Sequence, residues 1–327
     1  MTDVYITIDT EYSAGMFARS GRDGQAENFL RSIACETPDG AVGVGYQLDT
    51  FDSHGLKAVF FVDPMPTLVW GVDAIARVIG PILDRGHDVQ LHIHTEWLEF
   101  AGVANPIGDK TGNNIKDFCL ADQVILLDYA MTVLMAAGAP RPVAFRAGNY
   151  GANDDTLRAL AQIGIAFDTS HCPGIANSDC AIGLSSDGLL PLRHCDVTEV
   201  PIGAIASHGG GMRHAQITAL SASEMLSAIA HCQAHGIDSF TLVSHSFELM
   251  SRDRQRINRI VDRRFRAFCK GLERMDGVQT RTYRDRPPAI PDVVRPDPAS
   301  IVLPHNMVRT GLRMVEQLVG NRLYGAG

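Results

Sequence analysis

The sequence predicts an α/β protein built on a parallel sheet, and three observations carry that prediction. Short β-branched or apolar segments alternate with stretches of helical spacing along most of the chain. Strand–helix units joined by short connections build parallel sheets, open or closed into a barrel. Polar residues recur at the C-terminal ends of the strand segments, where barrel enzymes carry their chemistry. The length of 327 residues, with 45% hydrophobic and 20% charged residues, fits one large core or two ordinary domains.

Taken in order, residues 4–9 (VYITID) are short and β-branched, a buried strand. They lead into Asp9-Thr10-Glu11, whose two carboxylates share a face while the strand continues. Residues 57–63 (KAVFFVD) form a second strand, stopped by Pro64, and residues 73–85 have helical spacing. Gly86 opens the segment 86–97, GHDVQLHIHTEW, in which His92, His94 and Glu96 lie two apart. At that spacing they share one strand face. Imidazoles and a carboxylate converging there suit a divalent transition metal.

Residues 115–137 read as one long helix closed by Gly138 and Pro140. Residues 142–146 (PVAFR) are a strand followed by the turn AGNYG at 147–151, and Asn153 caps a helix carrying Leu157, Leu160 and Ile163. Residues 165–168 (IAFD) are a strand, and the Gly/Ser/Asp-rich stretch 169–195 is a long loop over the site. A strand at 197–202, a helix at 222–235 and a strand at 239–243 ending in Ser244-His245 follow. A basic amphipathic helix at 254–275 and a short strand at 278–283 complete a domain spanning residues 1–284.

Residues 285–304 are proline-rich, which excludes a helix or central strand and predicts a linker or arm. In the C-terminal segment 305–327, Val308, Leu312, Val315, Leu318, Val319 and Leu323 recur at helical spacing. That helix is expected to dock on the domain or on a second subunit of a homo-oligomer. The other reading is a peripheral membrane helix, with Arg309, Arg313 and Arg322 on its polar side.

A net charge of −8 argues against nucleic acid as the main partner. The seven cysteines are scattered and make no close C-x-x-C pair, as thiols in a reducing compartment do. No apolar run is long enough for a transmembrane segment, and the first residues lack a secretory pattern. The expectation is a cytoplasmic protein, or a mature form.

Five segments in order resemble the motifs of the polysaccharide deacetylase family, the NodB-homology enzymes. VYITIDTE resembles VYLTFDDGP, KAVFFV resembles ATFFV, and GHDVQLHIH resembles GHEIGNH. FRAGNYGAN resembles FRPPYGxxN, and TLVSHS resembles the last motif, which ends in a histidine. The resemblance spans roughly residues 4 to 250 as separated motifs, closest to a divergent subgroup with D-x-E and H-x-H-x-E motifs. It implies a distorted (β/α)7 barrel and metal-assisted hydrolysis of an N- or O-acetyl group on a saccharide. The ion implied is zinc first, with cobalt, nickel or manganese as alternatives.

The resemblance also implies roles. Asp9 is similar to the family's base, Arg146 to the arginine that pairs with it, and His245 to the general acid. Asp168 resembles the carboxylate that tunes the histidine; a loop cap is the other reading. His92 falls on the first metal histidine. Where the family has a second, metal-binding aspartate stands Thr10, so Glu11 is the expected ligand. The family's second metal histidine lies four residues after the first, at Glu96. Either His94 or Glu96 fills that role, and His94 is preferred because an H-x-H strand end converges directly. The turn after Arg146 lacks the family's prolines and puts Asn149, then Tyr150, at the oxyanion and substrate position. Trp97 and Phe100 follow the metal motif, to stack on a sugar ring or to join the core. Alternatives on the same barrel are a deformylase, a cyclic-amide hydrolase, or an inactive sugar-binding or scaffold protein.

Overall fold

In the computed structural model, which describes residues 1–175, 177–185, 188–291 and 301–325, thirteen strands are formed. They are β1 (Thr2–Thr10), β2 (Glu36–Thr37), β3 (Gly40–Ala41), β4 (Val59–Val62), β5 (Asp88–Ile93), β6 (Ala144–Ala147) and β7 (Phe167–Asp168). Then come β8 (Leu192–His194), β9 (Val197–Glu199), β10 (Ala204–Ala206), β11 (Met212–His214), β12 (Ser239–His245) and β13 (Val278–Thr280). The main sheet runs β12-β1-β4-β5-β6-β7-β9-β8, with β13 paired to the first residues of β1. Every pairing from β12 to β9 is parallel, giving seven parallel strands, and β8 closes that edge antiparallel.

The curled sheet is an incomplete barrel. Its seam between β9 and β12 is bridged by single bonds instead of a continuous ladder: Gly203 N–H donates to Thr241 O at 2.9 Å, and Val243 N–H donates to Ala215 O at 2.9 Å. Two apolar clusters follow from the alternation along the strands. Tyr5, Val59, Phe61, Ala144, Val200 and Tyr283 fill the inside. The alternate residues Val4, Ile6, Ile8, Phe60, Val62, Leu91 and Phe145 pack outward against the helices.

The parallel strands lie where the sequence places them, most ends shifted by no more than two residues; β9 stops at Glu199, three short of the expected 202, and β5 at Ile93, before His94 and Glu96. The helix expected over 115–137 is broken into a short turn (Ile115–Asp117) and a helix (Leu120–Ala136), with Cys119 extended between them. Asn153 caps Asp154–Ile163 as expected, its Oδ1 accepting from Thr156 N–H at 3.0 Å. The early helices Ala14–Ser20, Gln25–Ser32 and Val44–Ser53 and the hairpins β2–β3 and β10–β11 had no periodic signal long enough to read.

In the proline-rich stretch, residues 292–300 lie outside the described residues; past them, Leu303 O accepts from Ala206 N–H at 3.0 Å. The C-terminal helix, Met307–Tyr324, lies on the domain, but with its apolar stripe turned away from it. It holds to the domain by polar groups: Arg313 pairs with Glu224 at 3.1 Å, both buried, and Glu316 with Arg264 at 2.9 Å. Val308, Leu312, Val315, Leu318, Val319 and Leu323 are exposed. Arg313 and Glu316 occupy the inward face, so the apolar stripe is left outside. No helix among the described residues is long and apolar enough to cross a membrane.

Candidate active site

The register of four neighbouring strands assembles the site. Thr10 pairs with Val62, and Val62 with Leu91. One residue further, Glu11, Asp63 and His92 follow in a row, and His92 pairs with Arg146. Residues level across a parallel sheet share a face. Asp9 and Phe61 sit two residues earlier on that same inner face. The inside of the barrel's C-terminal end therefore collects three acids, a histidine and an arginine.

Arg146 is fully buried and anchors the floor. Its Nη1 donates to Asp9 Oδ1 at 2.6 Å, its Nη2 to Thr7 Oγ1 at 2.8 Å and its Nε to Thr169 O at 3.2 Å. Its guanidinium lies 4.5 Å from the Phe61 ring centroid.

Glu11 Oε2 lies 3.1 Å from His92 Nε2 and 2.7 Å from His94 Nε2. One ligand atom from each of these residues fits within a 4.8 Å span. The far sides of both rings are held. His92 Nδ1 donates to Arg146 O at 2.8 Å, and His94 Nδ1 to Glu96 Oε2 at 3.0 Å. Such outer partners fix the tautomer and aim Nε2 at a metal. Glu96 thus stands behind His94, and Asn149 Nδ2 in turn donates to Glu96 Oε1 at 3.3 Å. Gly148 makes room for this arrangement: a Cβ there would lie 2.8 Å from the His94 ring and 2.7 Å from Ile93 O.

Burial alone would raise Glu11, but His94 and His92 outweigh it and hold the carboxyl well below the usual range. Burial opposes a charge on His94, yet Glu11 and Glu96 lift it well above the ordinary histidine value. Asp63 is fully buried, with Oδ1 accepting from Met65 N–H at 3.0 Å. Burial pushes its acid up to about 7, against the pull of His94 and His92.

Across the floor, His245 Nε2 lies 3.8 Å from Asp9 Oδ2, and its Nδ1 donates to Glu248 Oε1 at 2.8 Å. Glu248 is itself fixed by Ser244 Oγ, which donates to Oε2 at 2.9 Å, and by the side-chain amide of Gln216. Burial lowers the His245 ring, but Glu248, then Asp9 and Glu11, push it up to about 9. The ring is charged at neutral pH, as an acid catalyst requires.

Of the residues singled out in the sequence, Asp9, Glu11, His92, His94, Arg146 and His245 come together. Asp168 does not join them as a partner of His245. It pairs with Phe145 and Glu199, which face outward, and its carboxylate caps Ser170 N–H at 2.9 Å. Burial raises both Asp168 and Glu199, and Asp168 raises Glu199 further. The alternation of the strand turns Asp168 away; the carboxylate on His245 is Glu248. Asn149 and Tyr150 both adopt left-handed φ of 56°, a strained pair of non-glycine residues beside the cluster. Trp97 is fully buried among Phe17, Trp70 and Phe100, so it joins the core.

Two residues went unread. Glu248 lies three positions after His245, where only the chain's turn brings it back. Asp63 ends the apolar strand segment KAVFFVD, the same signal that marked Asp9.

No family model and no curated protein matches the chain. Solved structures do match. A protein from Mycobacterium smegmatis, provisionally named a polysaccharide deacetylase, is 12% identical over 90% of this chain and 95% of its own, with a TM-score of 0.50. A family 4 carbohydrate esterase from Streptomyces lividans in complex with acetate is 11% identical over 89% and 98%, with a TM-score of 0.45. A CE4 family pseudoenzyme from Bacillus anthracis is 11% identical over 85% and 63%, with a TM-score of 0.41. The likeness to the mycobacterial protein makes this fold the NodB-type polysaccharide deacetylase barrel.

Proposed function

We propose that the chain is a metal-dependent hydrolase that removes an acetyl group from an amine or hydroxyl of a saccharide. One observation carries the reading: a two-histidine, one-carboxylate cluster, an arginine-held carboxylate and a carboxylate-held histidine open together at one end of the barrel. The saccharide follows the name of the mycobacterial neighbour.

The donor set fits a divalent cation, with zinc first and cobalt, nickel or manganese as alternatives. Glu11, His92 and His94 would hold it. Bound there, it supplies Lewis acidity to the acyl carbonyl and lowers the pKa of water to about 7.

The chain's own groups do the rest. Asp9, held in place by Arg146, takes a proton from the water whose oxygen attacks the acyl carbon. His245 gives its Nε2 proton to the departing nitrogen or oxygen as the bond to the acyl carbon breaks. Acetate and the free amine or hydroxyl leave. Glu248 holds His245 in position and charged, and Glu96 does the same for the orientation of His94. The Asn149–Tyr150 turn borders the substrate side.

The test combines metal analysis with product analysis. Protein loaded with zinc, cobalt, nickel or manganese is expected to hold one ion and release acetate from an acetylated saccharide. Asp9→Asn and His245→Ala should each cut turnover by about 10²–10⁴ with the metal still bound. Absence of a stoichiometric ion, or formate or a ring-opened product in place of acetate, overturns the reading. If both variants leave every property unchanged, the protein is a sugar binder without chemistry.

A further inference from the structure

We propose that Asp63 is a fourth protein group of the cation site, facing the ion with its Oδ2. The inference rests on the reading of Glu11, His92 and His94 as ligands and adds a residue to it. Two independent observations support it. By register Asp63 occupies the strand between Glu11 and His92, level with both and on the same face. It is fully buried, yet Oδ2 has no hydrogen-bond partner among the described residues, while Oδ1 is spent on Met65 N–H.

A buried carboxylate oxygen with nothing to bind is strongly unfavourable. A structural aspartate on an apolar strand end would be expected to satisfy both oxygens, as Asp168 does with Ser170. Asp63 instead satisfies one oxygen and leaves the other unpartnered, at the end of the strand that runs between those carrying Glu11 and His92. A divalent cation relieves that arrangement in a way no neighbouring side chain does. It would also offset the repulsion between Asp63 and Glu11.

The test compares wild type with Asp63→Asn, Asp63→Ala and Glu11→Gln. Metal-free proteins are titrated with Zn²⁺ against a chromophoric chelator and with Co²⁺ in visible absorption, and thermal unfolding is followed with and without ion. Asp63→Asn is expected to bind Zn²⁺ at least tenfold more weakly and to alter the Co²⁺ spectrum. Metal-free Asp63→Asn should melt at or above wild type, while the rise in Tm on adding ion shrinks. Wild-type affinity and spectrum in both Asp63 variants would overturn the proposal, as would a lowered metal-free Tm with unchanged affinity. If wild type itself binds no ion, the reading of the ligand cluster fails first, and the two failures are told apart.

Discussion

Replacing Glu248 by glutamine should move the alkaline limb of the pH–rate profile by more than any other single change at this site. Glu248 Oε1 is 2.8 Å from His245 Nδ1 and is the leading influence raising that ring from 6.5 to about 9. The rise corresponds to about 3 kcal/mol. Because the folded value is raised, this stabilisation is complete below pH 6.5 and is lost as pH rises through about 9. Glutamine keeps a hydrogen-bonding group but removes the charge, leaving burial to pull the ring back toward its ordinary value. At pH 8 wild-type His245 is about nine-tenths charged; a ring returned to 6.5 is about 3% charged, so turnover should fall about 30-fold. Below pH 6 the two proteins should converge. The assay is kcat/KM for acetate release from pH 5.5 to 10, with kcat and KM read separately. A glutamine variant whose alkaline limb stays where the wild type has it would refute the assignment of Glu248 as the group that holds His245 charged.

Three further outcomes are expected. Metal affinity should weaken steadily as pH falls, because a proton on His94, raised by Glu11 and Glu96, competes with the ion; titration with Zn²⁺ at several pH values checks this. Gly148→Ala should displace the His94 ring, since the new methyl would sit 2.8 Å from it. Overpacking of this kind costs about 1–3 kcal/mol, so a lowered Tm together with weaker Zn²⁺ binding is the expected result, and unchanged values in both would count against it. Arg313→Ala should free the C-terminal helix, since breaking a buried ion pair costs about 3–5 kcal/mol. Leu318→Asp, on the exposed stripe, should change stability by no more than about 0.5 kcal/mol. Limited proteolysis of residues 301–325 separates the two.

Much of the site was legible because one physical rule joins sequence to function. Parallel strands present their C-terminal ends to a common mouth, so polar residues ending apolar runs are brought together without further information. Asp9, His92, Arg146 and His245 were readable on that basis, and the order of their motifs agreed with the barrel that the mycobacterial neighbour shares. The same rule should have drawn Asp63 from KAVFFVD, and it was missed because only one acid stood there.

What the sequence by itself determined is the set of parallel strands, the alternation of inner and outer faces along each, and hence most of the residues that lie at the mouth. Register between strands was decided only by tertiary structure, because it depends on how helices pack over the sheet. Register puts Asp63 between Glu11 and His92, and Asp168 on the outer face against Glu199. Likewise the placing of His94 between Glu11 and Glu96 turned on a ring's orientation: Nε2 faces Glu11 while Nδ1 faces Glu96. Side-chain direction past a strand's end follows from what fills the space beside it, here the bare Cα of Gly148, and no spacing along the chain encodes that.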